Sequence, residues 1–265
     1  MALTDLLRFG APGMKAYRMH SSAMQLRKNG KYQECEEKLD EALKLYDEAY
    51  QKGERKFGIL SGYAVLLMRK GEFEKAREVM LTASKDKSIT PEDRQQLRID
   101  YALCQWKMGR LEKAIETMCN AIGSNKSGSI YNTMAVLLIE QARATGEFEE
   151  AIAWNREALD YDDEDAEALD NMAQLNLALS DAAKAKGETE EAEKYRQEAL
   201  RYFESAWKNK PSQITSAYYY AKMLYEGGDI VKARKVLATI HGIPISAMVQ
   251  VSKDEVDALE KKLNG

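Results

Sequence analysis

A short motif recurs six times along the chain and restricts its fold more than any other feature. Each copy begins with a glycine and carries further small or apolar residues five and twelve positions later. The glycines are Gly30, Gly71, Gly109, Gly146, Gly187 and Gly228, and successive glycines are 37 to 41 residues apart. A period in this range indicates a repeat architecture in which each unit stacks on the next.

The residue types at these positions have a physical explanation. A glycine can take the left-handed backbone conformation that ends a helix. Small residues in the following helix allow its axis to approach neighbouring helices closely. These residues are Cys35, Ala76, Ala114, Ala151, Ala192 and Ala233, and then Ala42, Ala83, Ala121, Ala158, Ala199 and Ile240. Each copy is therefore predicted to be two antiparallel helices joined by a tight turn, which must stack to bury its apolar face.

This pattern, with Phe, Tyr or Leu two positions after several of the glycines, resembles the tetratricopeptide repeat over residues 14–241. The resemblance implies an all-α, right-handed superhelical solenoid of six helix-turn-helix repeats. We predict repeats at 14–53, 54–90, 91–127, 128–163, 164–210 and 211–241, preceded by an N-terminal segment, 1–13. A loop and a C-terminal capping helix are predicted within 242–265, because Ser252 and Glu255 have capping-box spacing. Thr90 before Pro91 predicts another helix start.

The resemblance also implies that the first helix of each repeat lines a concave groove that binds other polypeptides. The candidate groove residues are Tyr17, Met24, Arg27, Arg69, Trp106, Tyr218, Lys222 and Tyr225, with Gly58 and Gly62 leaving room beside them. Tyr218, Lys222 and Tyr225 share one helix face, and this mixture of aromatic and basic residues suits peptide binding. Alternatively, Tyr218 and Tyr225 pack against the terminal helix and Trp106 wedges between repeats. Tyr220 is assigned to the core.

Charge and cysteine content indicate the expected partners and location. A net charge of −4 and a pI near 5.5 argue against electrostatic binding of the phosphate backbone of a nucleic acid. No nucleic-acid partner is therefore expected. Cys35, Cys104 and Cys119 lie in apolar helical stretches and are expected to be buried thiols in a reducing cytosol. No apolar run suggests a signal peptide or a membrane span, so the expected location is cytoplasmic. A membrane partner is not expected, and contact of the N-terminal segment with a membrane surface is kept as an alternative.

The sequence offers no recognisable catalytic motif. Two histidines and no paired cysteines give little scope for general-base chemistry or a metal site, so no enzyme activity, metal or cofactor is expected. The predicted function is a non-catalytic module that binds a protein or peptide. One alternative is a self-associating assembly adaptor, a homo-oligomer joined through the apolar Leu3, Leu6, Leu7 and Phe9. Another is an enzyme with an unrecognised site.

Residues 160–170 contain seven acids and no base. Acids are favourable at a helix N-terminus, so we interpret this stretch as a solvated loop with helix-starting acids. The alternative is that it recruits a basic partner.

Overall fold

A computed structural model describes residues 12–123 and 126–264 of the chain. All regular secondary structure in this part is helical, which confirms the predicted all-α helical-repeat fold. The helices are α1 (Pro12–Lys28), α2 (Tyr32–Gln51), α3 (Phe57–Lys70), α4 (Phe73–Ala83), α5 (Pro91–Lys107), α6 (Leu111–Ala121), α7 (Gly128–Thr145), α8 (Glu149–Tyr161), α9 (Ala166–Ala185), α10 (Thr189–Asn209), α11 (Ile214–Glu226), α12 (Ile230–Ala238) and α13 (Lys253–Asn264). None of these helices has the length and hydropathy needed to cross a membrane.

The chain forms two compact units. Among the described residues, the first contains 12–110 and 246–248, and the second contains 111–123, 126–245 and 249–264. The division falls between α5 and α6, inside the predicted third repeat, and the predicted repeat boundaries remain a prediction. The apolar residues of the N-terminal segment, Leu3, Leu6, Leu7 and Phe9, lie outside the described residues.

The first unit is built from two helix pairs and one further helix. The pairs are α1 with α2 and α3 with α4, while α1, α3 and α5 pack side by side as successive first helices. Its core includes the fully buried Tyr46, Leu60 and Tyr63. The short segment 246–248 belongs to this unit, because the Ala247 amide donates to the carbonyl of Arg69 at 3.0 Å.

The second unit contains three helix pairs and two further helices. The pairs are α7 with α8, α9 with α10 and α11 with α12, and α6 packs on α7. The last helix, α13, packs on α11 and α12 and buries Leu259 and Leu263. It therefore covers the final helix pair, as the predicted capping helix should.

The repeated motif has the predicted geometry in every copy. All six motif glycines have a positive φ, between 72° and 87°, which is the left-handed region that ends a helix. The residues five and twelve positions after each glycine are all buried. A single local rule, a glycine turn followed by a small buried residue, therefore shapes helix pairs in both units.

The predicted helix starts also form as expected. The Thr90 hydroxyl accepts a hydrogen bond from the Asp93 amide at 3.0 Å at the start of α5. At the start of α13 the Glu255 amide donates to the Ser252 hydroxyl at 3.2 Å, and the Ser252 amide donates to the Glu255 carboxylate at 2.8 Å. These bonds satisfy amides that have no partner within their own helix.

One of the three cysteines departs from expectation. Cys35 and Cys104 are buried, but Cys119 is exposed, so the prediction of a buried thiol is wrong there. The inward-facing residue of this turn of α6 is Met118, which is fully buried. The next residue along a helix is rotated by about 100°, which turns Cys119 towards solvent.

Candidate functional site

An open groove lies on the first helices of the first unit. It has a volume of about 340 Å³. Its lining residues are Tyr17, His20, Ser21 and Met24 of α1, Phe57, Gly58, Ser61 and Gly62 of α3, and Asp93 of α5. We call this cavity the first-unit groove. It brings together two predicted groove residues, Tyr17 and Met24, and Tyr17 leaves 47% of its surface exposed.

The groups that pack behind His20 and Gly62 of the groove are polar but uncharged. The Tyr46 hydroxyl lies 3.5 Å from Nδ1 of His20, and the Tyr46 ring stacks on Tyr63 with a centroid separation of 6.0 Å. Burial raises the pKa of Tyr46, so its hydroxyl stays protonated. Burial, followed by the nearby Arg69 guanidinium, lowers the pKa of His20 from its ordinary value. The imidazole is therefore neutral at pH 7, and it offers one donor and one acceptor.

The three remaining candidates in the first unit lie outside the lining of this groove. Arg69 donates to the Glu36 carboxylate at 2.8 Å, so its guanidinium already has an acidic partner. Arg27 is half-buried. Trp106 is also half-buried, and the Lys107 ammonium lies 4.6 Å from the centroid of its ring. Roles for these three residues in ligand binding remain predictions.

The predicted aromatic and basic face on α11 is partly covered. Tyr218 is only 5% exposed, which argues against direct contact with a ligand. Burial, and then the Glu255 carboxylate at the start of α13, raises the pKa of Tyr218. The Lys222 ammonium in turn contributes to the lowered pKa of Glu255, after the hydrogen bonds from Ser252. These interactions match the alternative in which the tyrosine packs against the terminal helix, whereas Lys222 and Tyr225 stay half-exposed.

Tyr220 behaves as predicted for a core residue. It is 1% exposed, and its ring centroid lies 5.8 Å from that of Trp207.

The acidic stretch 160–170 has structural roles at the start of α9. Asp165 caps α9 by accepting from the Glu167 amide at 2.9 Å, and its other oxygen accepts from the Asn132 side chain at 2.7 Å. The buried Asp170 accepts from the Ser216 hydroxyl at 2.6 Å. Within residues 12–123 and 126–264, no group of three or more His, Cys, Asp or Glu side chains is placed to hold a metal ion.

Comparison with family models agrees with this geometry. Residues 36–88 and 96–127 match two models of the tetratricopeptide repeat. Together with the helix pairs joined at glycines, these matches support the predicted tetratricopeptide repeat family. Among curated proteins, none matches the sequence significantly.

Solved structures share the fold at low sequence identity. The human IFIT1 dimer with PPP-AAAA is 16% identical, with a TM-score of 0.59 over 78% of this chain and 49% of IFIT1. Human IFIT1 with m7Gppp-AAAA is 17% identical, with a TM-score of 0.60 over 77% and 46%. A tetratricopeptide repeat protein from Parabacteroides merdae ATCC 43184 is 14% identical, with a TM-score of 0.50 over 94% and 86%. The chain thus spans about half the length of the IFIT1 structures that it matches.

The exclusion of nucleic acid is wrong. Human IFIT1, which shares the fold, is solved with PPP-AAAA, an RNA. Net charge averages over the whole surface, whereas binding depends on the side chains that line one groove. RNA is also recognised through stacking and base edges as well as through its phosphates. A net charge of −4 therefore does not exclude an RNA ligand for a protein of this fold.

Proposed function

We propose that this chain is a non-catalytic interaction module that binds an extended or helical segment of another protein in the first-unit groove. Tetratricopeptide repeats generally mediate protein–protein interaction, which supports this class of function. The observation that carries the proposal is the open groove between α1 and α3, which presents an exposed tyrosine, Tyr17, beside a methionine, Met24. Aromatic residues are enriched among binding hot spots, and methionine adapts to varied apolar partners.

The groove offers three kinds of contact to a polypeptide. Tyr17 and Met24 provide an apolar surface for one anchoring side chain. The neutral His20 and the hydroxyl groups of the groove provide hydrogen bonds for a peptide backbone. Nothing lies within 4 Å of the position that a β-carbon on Gly58 would take, so a ligand backbone can approach α3 closely there.

The carboxylate of Asp93 supplies a hydrogen-bond acceptor at the α5 side of the groove. The partner segment is therefore one with an apolar anchor and a donor group, such as a basic side chain, next to it. We also propose a cytoplasmic location, supported by the three free cysteines, since a reducing compartment keeps thiols unpaired.

Affinity capture with the full chain as bait, followed by titration of the captured segment, tests this function. Tyr17→Ala and Met24→Ala should each raise the Kd about tenfold or more, the range of hot-spot truncations. The matched control is Leu81→Ala, because Leu81 is a comparably exposed apolar residue, at 41%, on the second helix α4. Equal Kd values for Tyr17→Ala and Leu81→Ala would show that the first-unit groove is not the binding site. A chain that binds an RNA oligonucleotide and captures no protein would reject the proposed class of partner.

A further inference from the structure

The ammonium of Lys126 lies against two aromatic rings just before α7 in the second unit. Its Nζ is 4.4 Å from the ring centroid of Trp154 and 5.4 Å from that of Tyr131. The same nitrogen donates to Oε1 of Glu157 at 2.6 Å. We call Tyr131, Trp154 and Glu157 the ammonium cage. Two ring faces and a carboxylate are complementary to a positively charged group.

The cage is held in place by its own hydrogen bonds. The Trp154 indole N–H donates to the backbone carbonyl of Tyr131 at 3.0 Å, which fixes the plane of the indole. The Tyr131 hydroxyl donates to Oε1 of Glu157 at 2.9 Å. Tyr131 also packs in an apolar cluster with Ala158. These contacts join α7 to α8 without involving Lys126, so the cage does not depend on that lysine for its shape.

Lys126 comes from outside the helices that build the cage. It precedes Ser127, the N-cap of α7, and its side chain is 28% exposed. Tyr131 is buried, whereas Trp154 is half-exposed and Glu157 is exposed. Tyr161, which is 57% exposed, lies next to the cage, with its ring centroid 5.1 Å from that of Tyr131. The lysine therefore occupies the cage as a tethered ligand does, from a segment that belongs to neither of the two cage helices.

We propose that the ammonium cage is a binding site for an organic ammonium group, which displaces Lys126. Aromatic cages recognise quaternary ammonium groups through the negative faces of their rings. Hydrogen bonds from Lys126 and Tyr131 lower the pKa of Glu157, which keeps its carboxylate ionised. The site is separate from the first-unit groove and does not depend on the function proposed for it.

Lys126 is covalently attached beside the cage, and an external ammonium ligand must compete with it. A primary ammonium is compact and strongly hydrated, whereas methylation weakens its hydration and favours contact with aromatic faces. Lys126 is confined near the cage, so it competes as an internal ligand at an effective concentration on the order of millimolar. Because Lys126 fills the cage in the structure, an external ammonium can bind only when this side chain leaves. Removal of its charge should therefore increase the affinity for an external ammonium, and we expect an increase of about tenfold or more.

The experiment follows the indole N–H signal of Trp154 by NMR in the full chain, assigned with Trp154→Phe. Choline and its uncharged isostere 3,3-dimethylbutan-1-ol are titrated into the native protein and into Lys126→Ala. Choline should shift the signal with a Kd at least tenfold lower in Lys126→Ala, and the isostere should not shift it. Trp154→Leu in the same background, followed through nearby backbone amide signals, should abolish choline binding.

A matched control distinguishes the cage from a single cation–π contact. The Lys232 ammonium lies 5.3 Å from the ring centroid of Tyr220 and 3.0 Å from Glu204, so it has one ring and one carboxylate. Lys232→Ala should create no choline site. Lys126→Gln repeats the test with a polar side chain of similar length in case Lys126→Ala lowers stability.

A pentapeptide that contains trimethyllysine identifies the source of the ammonium. Tighter binding of this peptide than of choline to Lys126→Ala would assign the site to a protein side chain, and equal binding would assign it to a small ammonium ion. Both results support the cage. Folded Lys126→Ala and Lys126→Gln proteins whose Trp154 signal responds to neither probe, or responds equally to choline and its isostere, would overturn the proposal.

Discussion

The hydroxyl of Tyr46 lies 2.5 Å from the position that a β-carbon on Gly62 would take. Tyr46 is completely buried, so its ring has little freedom to retreat. The room that Gly62 is predicted to leave for a ligand is therefore filled by a tyrosine from α2. The Tyr46 hydroxyl therefore lies directly behind Gly62 and His20, two residues that line the first-unit groove.

Gly62→Ala should destabilise the protein by roughly 1–3 kcal/mol, the usual cost of overpacking a core. Gly58→Ala is the matched control on the same helix, because no atom lies within 4 Å of its new methyl group. That change should leave the free energy of unfolding the same or slightly higher, since alanine favours helices. Urea denaturation of both variants measures the difference.

Tyr46→Phe extends this test. This substitution removes the hydroxyl closest to the new methyl group. Gly62→Ala should therefore lower the free energy of unfolding less in the Tyr46→Phe background than in the native protein. The two changes should therefore be coupled in a double-mutant cycle. Strictly additive changes in the free energy of unfolding would show that the clash does not govern this position.

The left-handed conformation of the six motif glycines leads to a separate prediction. Gly146 has a φ of 81°, and nothing lies within 4 Å of the place of a β-carbon. Gly146→Ala should therefore cost only the backbone strain of the left-handed conformation, about 1–2 kcal/mol. Thermal or urea unfolding measures this cost. If both Gly146→Ala and the Gly58→Ala control left the free energy of unfolding unchanged, this would contradict a left-handed conformation at Gly146.

Asp170 predicts a pH dependence of stability. Burial raises the pKa of Asp170 to about 7, although the hydrogen bond from Ser216 opposes this shift. The folded state then holds a proton that the unfolded state has already released, because an unfolded aspartate has a pKa of about 3.9. The contribution of Asp170 to the free energy of unfolding is therefore fully present below pH 4 and is lost as the pH rises towards 7.

Asp170→Asn removes this titration. The amide keeps the shape of the side chain and can still accept from Ser216. It should raise the free energy of unfolding at pH 8 by at least about 1 kcal/mol, since one unit of pKa shift corresponds to about 1.4 kcal/mol. Urea unfolding at pH 5 and pH 8 measures the effect. An equal effect of the substitution at both pH values would contradict a raised pKa.

The repeat register could be predicted from the sequence because local rules set it. Gly71 ends a helix through its own backbone conformation, and Ala76 is small because the next helix packs against it. Both properties belong to one turn and its immediate neighbours. The same residue types therefore recur wherever the turn recurs, and the spacing alone identifies the helix pairs.

Features that depend on distant packing could not be predicted in this way. Tyr218 shares a helix face with Lys222, but its burial depends on where α13 folds back. The sequence places two members of the ammonium cage together, because Trp154 and Glu157 are three residues apart on one face of α8. The other ring of the cage, Tyr131, comes from the preceding helix, and only the packing of α7 on α8 joins them.

Hydroxyl-radical footprinting of the full chain, with and without its captured partner segment, tests the central claim most directly. Tyrosine and methionine both react with this probe, so Tyr17 and Met24 report on the first-unit groove. The groove proposal predicts that the partner protects both residues and leaves Leu81 of α4 and Tyr161 of α8 unchanged. Full labelling of Tyr17 and Met24 in a saturated complex would contradict it.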